Sequence, residues 1–336
     1  MNEVLKRTAK ADSKKVCLHP SASPSTCDPQ IIRAHTLQRS GTLSLIARNG
    51  QVVEFMPHIP TLSKTGGKLL AKEVGVGIAS TFTGFCKTHD NEFFSPIEDQ
   101  EFVSTDEQLL LLTYRSLAME HYKKAASIEK ADIIKDLATG RPILDQLAYE
   151  EFAADWAEGN SRGFQDMRFR MGKIAERLAK KRDLVVHAYG LDFVGDIALA
   201  ATGVFTPDRD FEGNALGAFD NEWTTAPCCC FSILPGPNGP RVIWTWTGKS
   251  EAVEQFIDSL KNLDPDLIGS ATVQFCFASL ENVFGAPTWW DQLPKDTQTH
   301  VEALALSDPY GDENVGALIP DGRSYVNWAL DRAWSN

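Results

Sequence analysis

Ser80-Thr81-Phe82-Thr83-Gly84-Phe85-Cys86-Lys87-Thr88-His89-Asp90 sets a cysteine and a histidine three residues apart, Cys86 and His89. That spacing lets a tight turn or a first helical turn aim a thiolate and an imidazole at one ion. Upstream stand Cys17, His19, Cys27 and His35, and with His58 seven soft or borderline donors precede Asp90. Between Val16 and Gln30 the chain is Cys, His, Pro, Ser and Asp without period, which is loop chemistry. Such a segment buries too little apolar surface to hold itself, and a bound metal supplies the missing stabilisation. Residues 1–104 therefore read as a zinc-bound module. Thiolates dominate closed zinc sites, so Cys17 and Cys27 join Cys86 and His89, with His19 as the substitute if Cys27 points elsewhere.

Charge divides the chain at about the same place. Residues 1–90 hold 12 Lys/Arg against 6 Asp/Glu, a net of +6, whereas the remainder holds 21 against 39, a net of −18. A basic module on an acidic body can approach an anionic partner, nucleic acid included, with one face only; the acidic C-terminal part suits a protein partner. No apolar run reaches the roughly 20 residues that span a bilayer, which excludes a membrane-spanning reading. The first fifteen residues are polar and basic without an apolar stretch, unlike a secretory signal. Seven cysteines, three of them adjacent (Cys228, Cys229, Cys230), do not suit a disulfide framework. Reduced thiols in a cytoplasmic protein are expected.

The remaining segments follow from periodicity. Residues 1–15 read as a frayed basic arm. Asn49-Gly50, between Leu43, Leu45, Ile46 and Val52, Val53, Phe55, predicts a hairpin, and residues 60–78 an exposed loop. A helix capped by Ser104, Thr105 or Asp106 runs to Leu137 and is closed by Gly140-Arg141-Pro142. A second spans about Pro142 to Arg182, with a break at Gly159 to Gly163. Together they make a helical hairpin over residues 105–183, with Met167, Met171, Ile174 and Leu178 as core. From residue 184 strands are predicted at Leu184–Val186, Asp196–Ala200, Cys228–Leu234, Val242–Trp246 and Ala271–Phe277, with a helix over Ser250–Leu263. A C-terminal helix is expected over Arg323–Trp334, with Trp289 and Trp290 filling the gap between it and the sheet. The expected fold class is α+β: a treble-clef-like zinc module, a helical hairpin, and an antiparallel-sheet domain over residues 184–336.

Two stretches resemble known nuclease motifs. Ile31-Ile32-Arg33-Ala34-His35 looks like the Ala-His segment of HNH (His-Me finger, treble-clef) nucleases, and Thr83 to Phe94 is similar to their closing Cys-x-x-His segment, with Thr83 where that family carries Asn. The wider run from Cys17 to Cys86 also resembles a set of bacterial proteins that brings no known activity. The HNH likeness implies His35 as general base in phosphodiester hydrolysis, His89 as a metal ligand, and Asp90 as an oxygen ligand for Mg²⁺ or Mn²⁺ beside the structural Zn²⁺. Arg182-Asp183-Leu184-Val185-Val186-His187 resembles the Arg-x4-His motif of HEPN ribonucleases, in which both residues lie on helices. The alternative is a non-catalytic protein whose zinc module is purely structural and which binds another protein.

Overall fold

The structure is a computed structural model that describes residues 2–218, 225–311 and 314–336. In chain order its elements are α1 (Asn2–Ala11), β1 (Ile31–His35), a helical turn at Arg39–Leu43, α2 (Ser44–Ile46), β2 (Gln51–Glu54), α3 (Ile59–Thr65), β3 (Lys72–Gly75) and β4 (Thr81–Cys86). Then come α4 (Lys87–Glu98), α5 (Asp106–Asp136), α6 (Ile143–Leu178), β5 (Val186–Val194), β6 (Leu199–Phe205), β7 (Cys229–Pro235) and β8 (Pro240–Thr247). The chain ends with α7 (Glu251–Lys261), α8 (Pro265–Ser279), β9 (Val283–Gly285), α9 (Pro287–Gln292), α10 (Lys295–Leu304) and β10 (Ala329–Ser335).

The chain divides into two compact units, one made of the residues up to Ala34 with Thr81–Leu184, the other of His35–Ser80 with Val185–Asn336. Residues 35–80, expected within the zinc module, thus cluster with the C-terminal part. The reason is strand pairing: β2 pairs with β9 across Val53↔Gly285 and Glu54↔Phe284, a partnership with no local signature.

In the first unit α5 is the central element. Its start follows from a capping box in which the Thr105 side chain accepts from the Gln108 N–H and the Gln108 side chain accepts from the Thr105 N–H, satisfying two otherwise orphaned donors. Every residue from Gln108 to Ala118 is buried. Helices α1, α4 and α6 and strand β4 contact it. Helix α6 is continuous through Gly159 and Gly163, because neighbouring turns hold those glycines helical; the expected break is absent. Ala153, Met167, Met171 and Ile174 form its buried stripe. Residues 2–11 are a helix rather than a frayed arm, and α1 packs on α5.

The second unit is built on an eight-stranded sheet in the order β10-β5-β8-β7-β6-β9-β2-β3, antiparallel at every pairing. Alternate residues of its strands, among them Tyr189, Leu191, Phe193, Phe231, Val242 and Trp244, share one core with Val253, Phe256 and Leu260 of α7 and Phe275 of α8, as period-two alternation requires. Four expectations fail here. Ala271–Phe277 lies in helix α8, which opens with Asp264 accepting from the Asp266 N–H and Pro265 in the first turn. Arg323–Trp334 contains no helix; Ala329–Ser335 instead pairs with β5. Asn49 and Gly50 do form a turn, both at positive φ (54° and 74°), but it closes only the Arg48↔Gln51 bridge. Residues 44–46 are helical, and β2 takes β3 as its partner. Residues 60–78, expected as a loop, include α3 and β3.

Candidate metal centre

Cys86 is the residue before α4, with extended backbone angles (φ −80°, ψ 158°), and His89 sits in that helix's first turn. The turn of a helix start therefore brings thiol and imidazole together, as the three-residue spacing predicts. Two distant segments complete the site. Residues 16–18 run alongside β4, the Val16 N–H donating to Thr83 O at 3.1 Å and the Leu18 N–H to Gly84 O at 2.9 Å, which places Cys17. Cys27 is delivered by a turn in which its N–H donates to Ser23 O at 3.0 Å and the Thr26 hydroxyl donates to Ser21 O at 2.6 Å. The Lys87 N–H then donates to Gln30 O at 3.1 Å, tying that turn to the start of α4.

The result is a tight group. The sulfurs of Cys17, Cys27 and Cys86 lie 3.4, 3.6 and 3.3 Å from His89 Nδ1, and all four donor atoms lie within 4.8 Å of one another. An imidazole nitrogen has one in-plane lone pair or one proton, so hydrogen bonding accounts for one such sulfur and not for three. Disulfides do not account for them either, since all these cysteines are free. A tetrahedral zinc with bonds of about 2.3 Å to sulfur and about 2.0 Å to nitrogen gives S···N edges of about 3.5 Å and S···S edges of about 3.8 Å. The group can therefore hold a metal ion such as zinc, with four protein donors.

Burial and charge agree with that reading. Cys86 and His89 are buried, Cys17 and Cys27 half-buried. Burial opposes ionisation of Cys86, yet backbone N–H groups of His89 and Asp28, with the neighbouring thiols, hold its pKa below the ordinary value. Cys17 is pushed up to about 11, mainly by burial; a divalent cation among these sulfurs reverses such a preference, because metal-bound thiols deprotonate.

His19 does not join the four. Its ring stacks on that of His89 at 3.9 Å and 10°, and its Nδ1 accepts from the Ser21 N–H at 3.1 Å. Burial is the chief cause of its pKa falling to about 4; it is a neutral plate against the ligand ring. His35 falls in the other unit, its Nε2 3.1 Å from Val76 O. Asp90 is buried beside His89 with Oδ1 unpartnered, and burial is the chief cause of its pKa rising to about 6; it lies outside the donor group. Arg182 follows the end of α6 and pairs with Glu176 at 3.3 Å, while His187 lies in strand β5 against Trp246. The two residues are not on facing helices, which removes the HEPN arrangement.

Two residues that hold the site carry no local signal. The Tyr114 hydroxyl donates to Leu18 O at 2.6 Å, between Cys17 and His19. The Tyr122 hydroxyl lies 2.8 Å from Lys14 O and 2.7 Å from the Thr83 hydroxyl, while the latter donates to Lys14 O at 2.6 Å. Both tyrosines are on α5, 96 and 108 residues from the Leu18 and Lys14 carbonyls, so spacing could not reveal them. No known protein family matches this chain, and neither a curated protein nor a solved structure does. The likeness to His-Me finger nucleases rests on the quoted residues alone.

Proposed function

We propose that Cys17, Cys27, Cys86 and His89 hold a structural zinc ion, and that the protein is a non-catalytic, zinc-stabilised interaction protein. One observation carries this reading: three sulfurs from three separate segments converge within 3.6 Å on one imidazole nitrogen. Four protein donors close the coordination shell and leave no position for a reacting water, the arrangement of structural rather than catalytic zinc. The ion fastens the loop of residues 16–30 onto β4 and the start of α4, where side-chain packing alone is sparse. A phosphodiesterase with His35 as base would need a second, harder ion at Asp90. That carboxyl is buried among Arg115 and Glu98, and Arg115 is itself paired to Glu98 at 2.6 Å. Nucleic-acid binding through the basic N-terminal residues is weakened as a reading because Arg7 and Lys14 pair with Asp136 and Glu129.

The test is metal analysis of the purified chain with thermal melting in chelator, followed by incubation with DNA and RNA in Mg²⁺ or Mn²⁺. One equivalent of zinc, a lowered melting temperature in chelator and no cleavage are expected. Metal-free protein that melts identically in chelator refutes the zinc site, and cleavage lost in His35→Ala refutes the non-catalytic assignment.

A further inference from the structure

A cleft in the second unit leaves about 450 Å³ unfilled by atoms and partly open to solvent, within the size range of small-molecule sites. Phe205 at the end of β6, Phe256 of α7 and Leu318 give it an apolar lining. The two rings meet with centroids 5.1 Å apart and are buried. Tyr310 and Asn314, from the chain after α10, line it too, and side chains fasten that segment. Gln274 of α8, itself buried, donates to Ala317 O at 2.7 Å and to Ile319 O at 2.8 Å. The Asn314 amide donates to Asp308 O at 3.0 Å, and the Thr206 N–H donates to the Tyr310 hydroxyl at 3.2 Å. The cleft is therefore braced in its open form, and a ligand need not order it first.

Two charged side chains belong to the same lining, Asp208 and Arg209, 29% and 33% exposed. Their approach is 4.0 Å, Arg209 Nε to Asp208 Oδ2, well beyond the roughly 2.7–2.9 Å of a charge-assisted hydrogen bond. Neither side chain hydrogen-bonds to another described residue. Asp210, two residues on, is saturated by contrast: Oδ1 accepts from the N–H groups of Glu212 and Asn214, and Oδ2 from the Asn214 amide. Partly desolvated charges without hydrogen bonds are costly unless a ligand answers them. The last turn of α8 also lines the cleft through Ala278 and Ser279 and carries no basic side chain, so its carbonyl end adds to the pull of Asp208 on a cation.

This pair of charges selects the occupant. A neutral ligand answers neither charge, and a simple anion or cation answers one. A free amino acid carries both charges on one carbon, a spacing that suits side-chain charges 4.0 Å apart, and a large apolar side chain suits the phenylalanine lining. We propose that this cleft binds a free amino acid with a large apolar side chain, its ammonium on Asp208, its carboxylate on Arg209 and its side chain against Phe205 and Phe256. The inference goes beyond the zinc reading and does not depend on it, since the cleft lies in the second unit and the four metal donors lie in the first.

The experiment is isothermal titration calorimetry on the purified full-length protein with L-phenylalanine. Saturable binding of one equivalent is expected. Glycine, which lacks the side chain, phenylalaninamide, which lacks the carboxylate, and N-acetylphenylalanine, which lacks the ammonium, should each bind about tenfold more weakly or worse. Asp208→Asn should weaken phenylalanine by a similar factor and erase the preference over N-acetylphenylalanine. Arg209→Gln should weaken it likewise and erase the preference over phenylalaninamide. Both substitutions keep side-chain size at partly exposed positions, and thermal melts verify that the variants are folded. No saturable heat with phenylalanine, or equal affinity for any of the three analogues, overturns the proposal. So does either variant that keeps the parent affinity. Tighter binding of the amide or of the N-acetyl acid than of phenylalanine would make the cleft a cation or an anion site and overturn it as well.

Discussion

Tyr114→Phe removes one hydroxyl and little else. The ring is buried, 2% exposed, and packs edge-on against Phe93 at 5.1 Å, contacts that phenylalanine keeps. What is lost is the 2.6 Å hydrogen bond to Leu18 O. Burial raises the pKa of this hydroxyl, so it remains a protonated donor throughout the accessible pH range. Its removal leaves a peptide carbonyl without that partner, which destabilises by about 1–3 kcal/mol. For a cooperative unit of this size about 2 kcal/mol lowers Tm by roughly 4–8 °C. Leu18 sits between Cys17 and His19, so the same change should loosen the ligand segment. Zinc release to a colorimetric chelator should then accelerate, in line with the about 10–100-fold effects of supporting residues around metal sites. Calorimetry and stopped-flow chelation read both quantities. If Tm and release rate match the parent protein, the tyrosine does not hold the ligand segment, and the account of how the site is positioned fails.

Further outcomes follow from the same geometry. Serine at Cys17, Cys27 or Cys86, or glutamine at His89, should abolish stoichiometric zinc in metal analysis, whereas His19→Ala should retain it, since that ring stacks and does not point a free nitrogen at the group. In the second unit the Asp321 carboxylate accepts from the Tyr325 hydroxyl at 2.7 Å and from the Arg323 guanidinium at 2.7 Å. Burial alone would raise its pKa, but the backbone N–H of Arg323, the Tyr325 hydroxyl and the guanidinium outweigh it and hold it below the ordinary carboxylate value. Its stabilisation is therefore present above the unfolded-state pKa of about 4 and lost as pH falls through the lower folded value; Asp321→Asn should flatten that acid-side decline in melts between pH 5 and pH 2. Gly190→Ala should destabilise the β5–β10 edge by about 1–3 kcal/mol, because an added Cβ would run into the Trp334 indole; unchanged hydrogen-exchange protection of β10 would refute this.

Much of the first unit is legible from local chemistry. Thr105 with Gln108 announces the start of α5, and Gly140-Arg141-Pro142 separates it from α6. The donors Cys17, Cys27, Cys86 and His89 stand out because loop sequence around Cys and His has little else to hold it. What stayed hidden depends on pairing between distant residues. Nothing near Val53 reports that it will lie beside Gly285, and so residues 35–80 could not be separated from the zinc module by reading along the chain. Ala271–Phe277 misleads because an apolar, aromatic-rich run suits a buried strand and a buried helix alike; Asp264-Pro265, a helix-start signal, was the arbiter. At the C-terminus, the stretch Arg323–Trp334, expected as a helix, finds instead a whole row of backbone partners along the edge of β5. His19 and His35 illustrate the remaining gap: residue type marks both as donors, and only the fold turns one into a stacking plate and sends the other to a different unit.

Zinc K-edge X-ray absorption on the purified full-length chain tests the central claim most directly. The account predicts a first shell of three sulfurs at about 2.3 Å and one nitrogen at about 2.0 Å. A shell of nitrogen and oxygen only, or a protein that takes up no zinc while remaining folded, would contradict it.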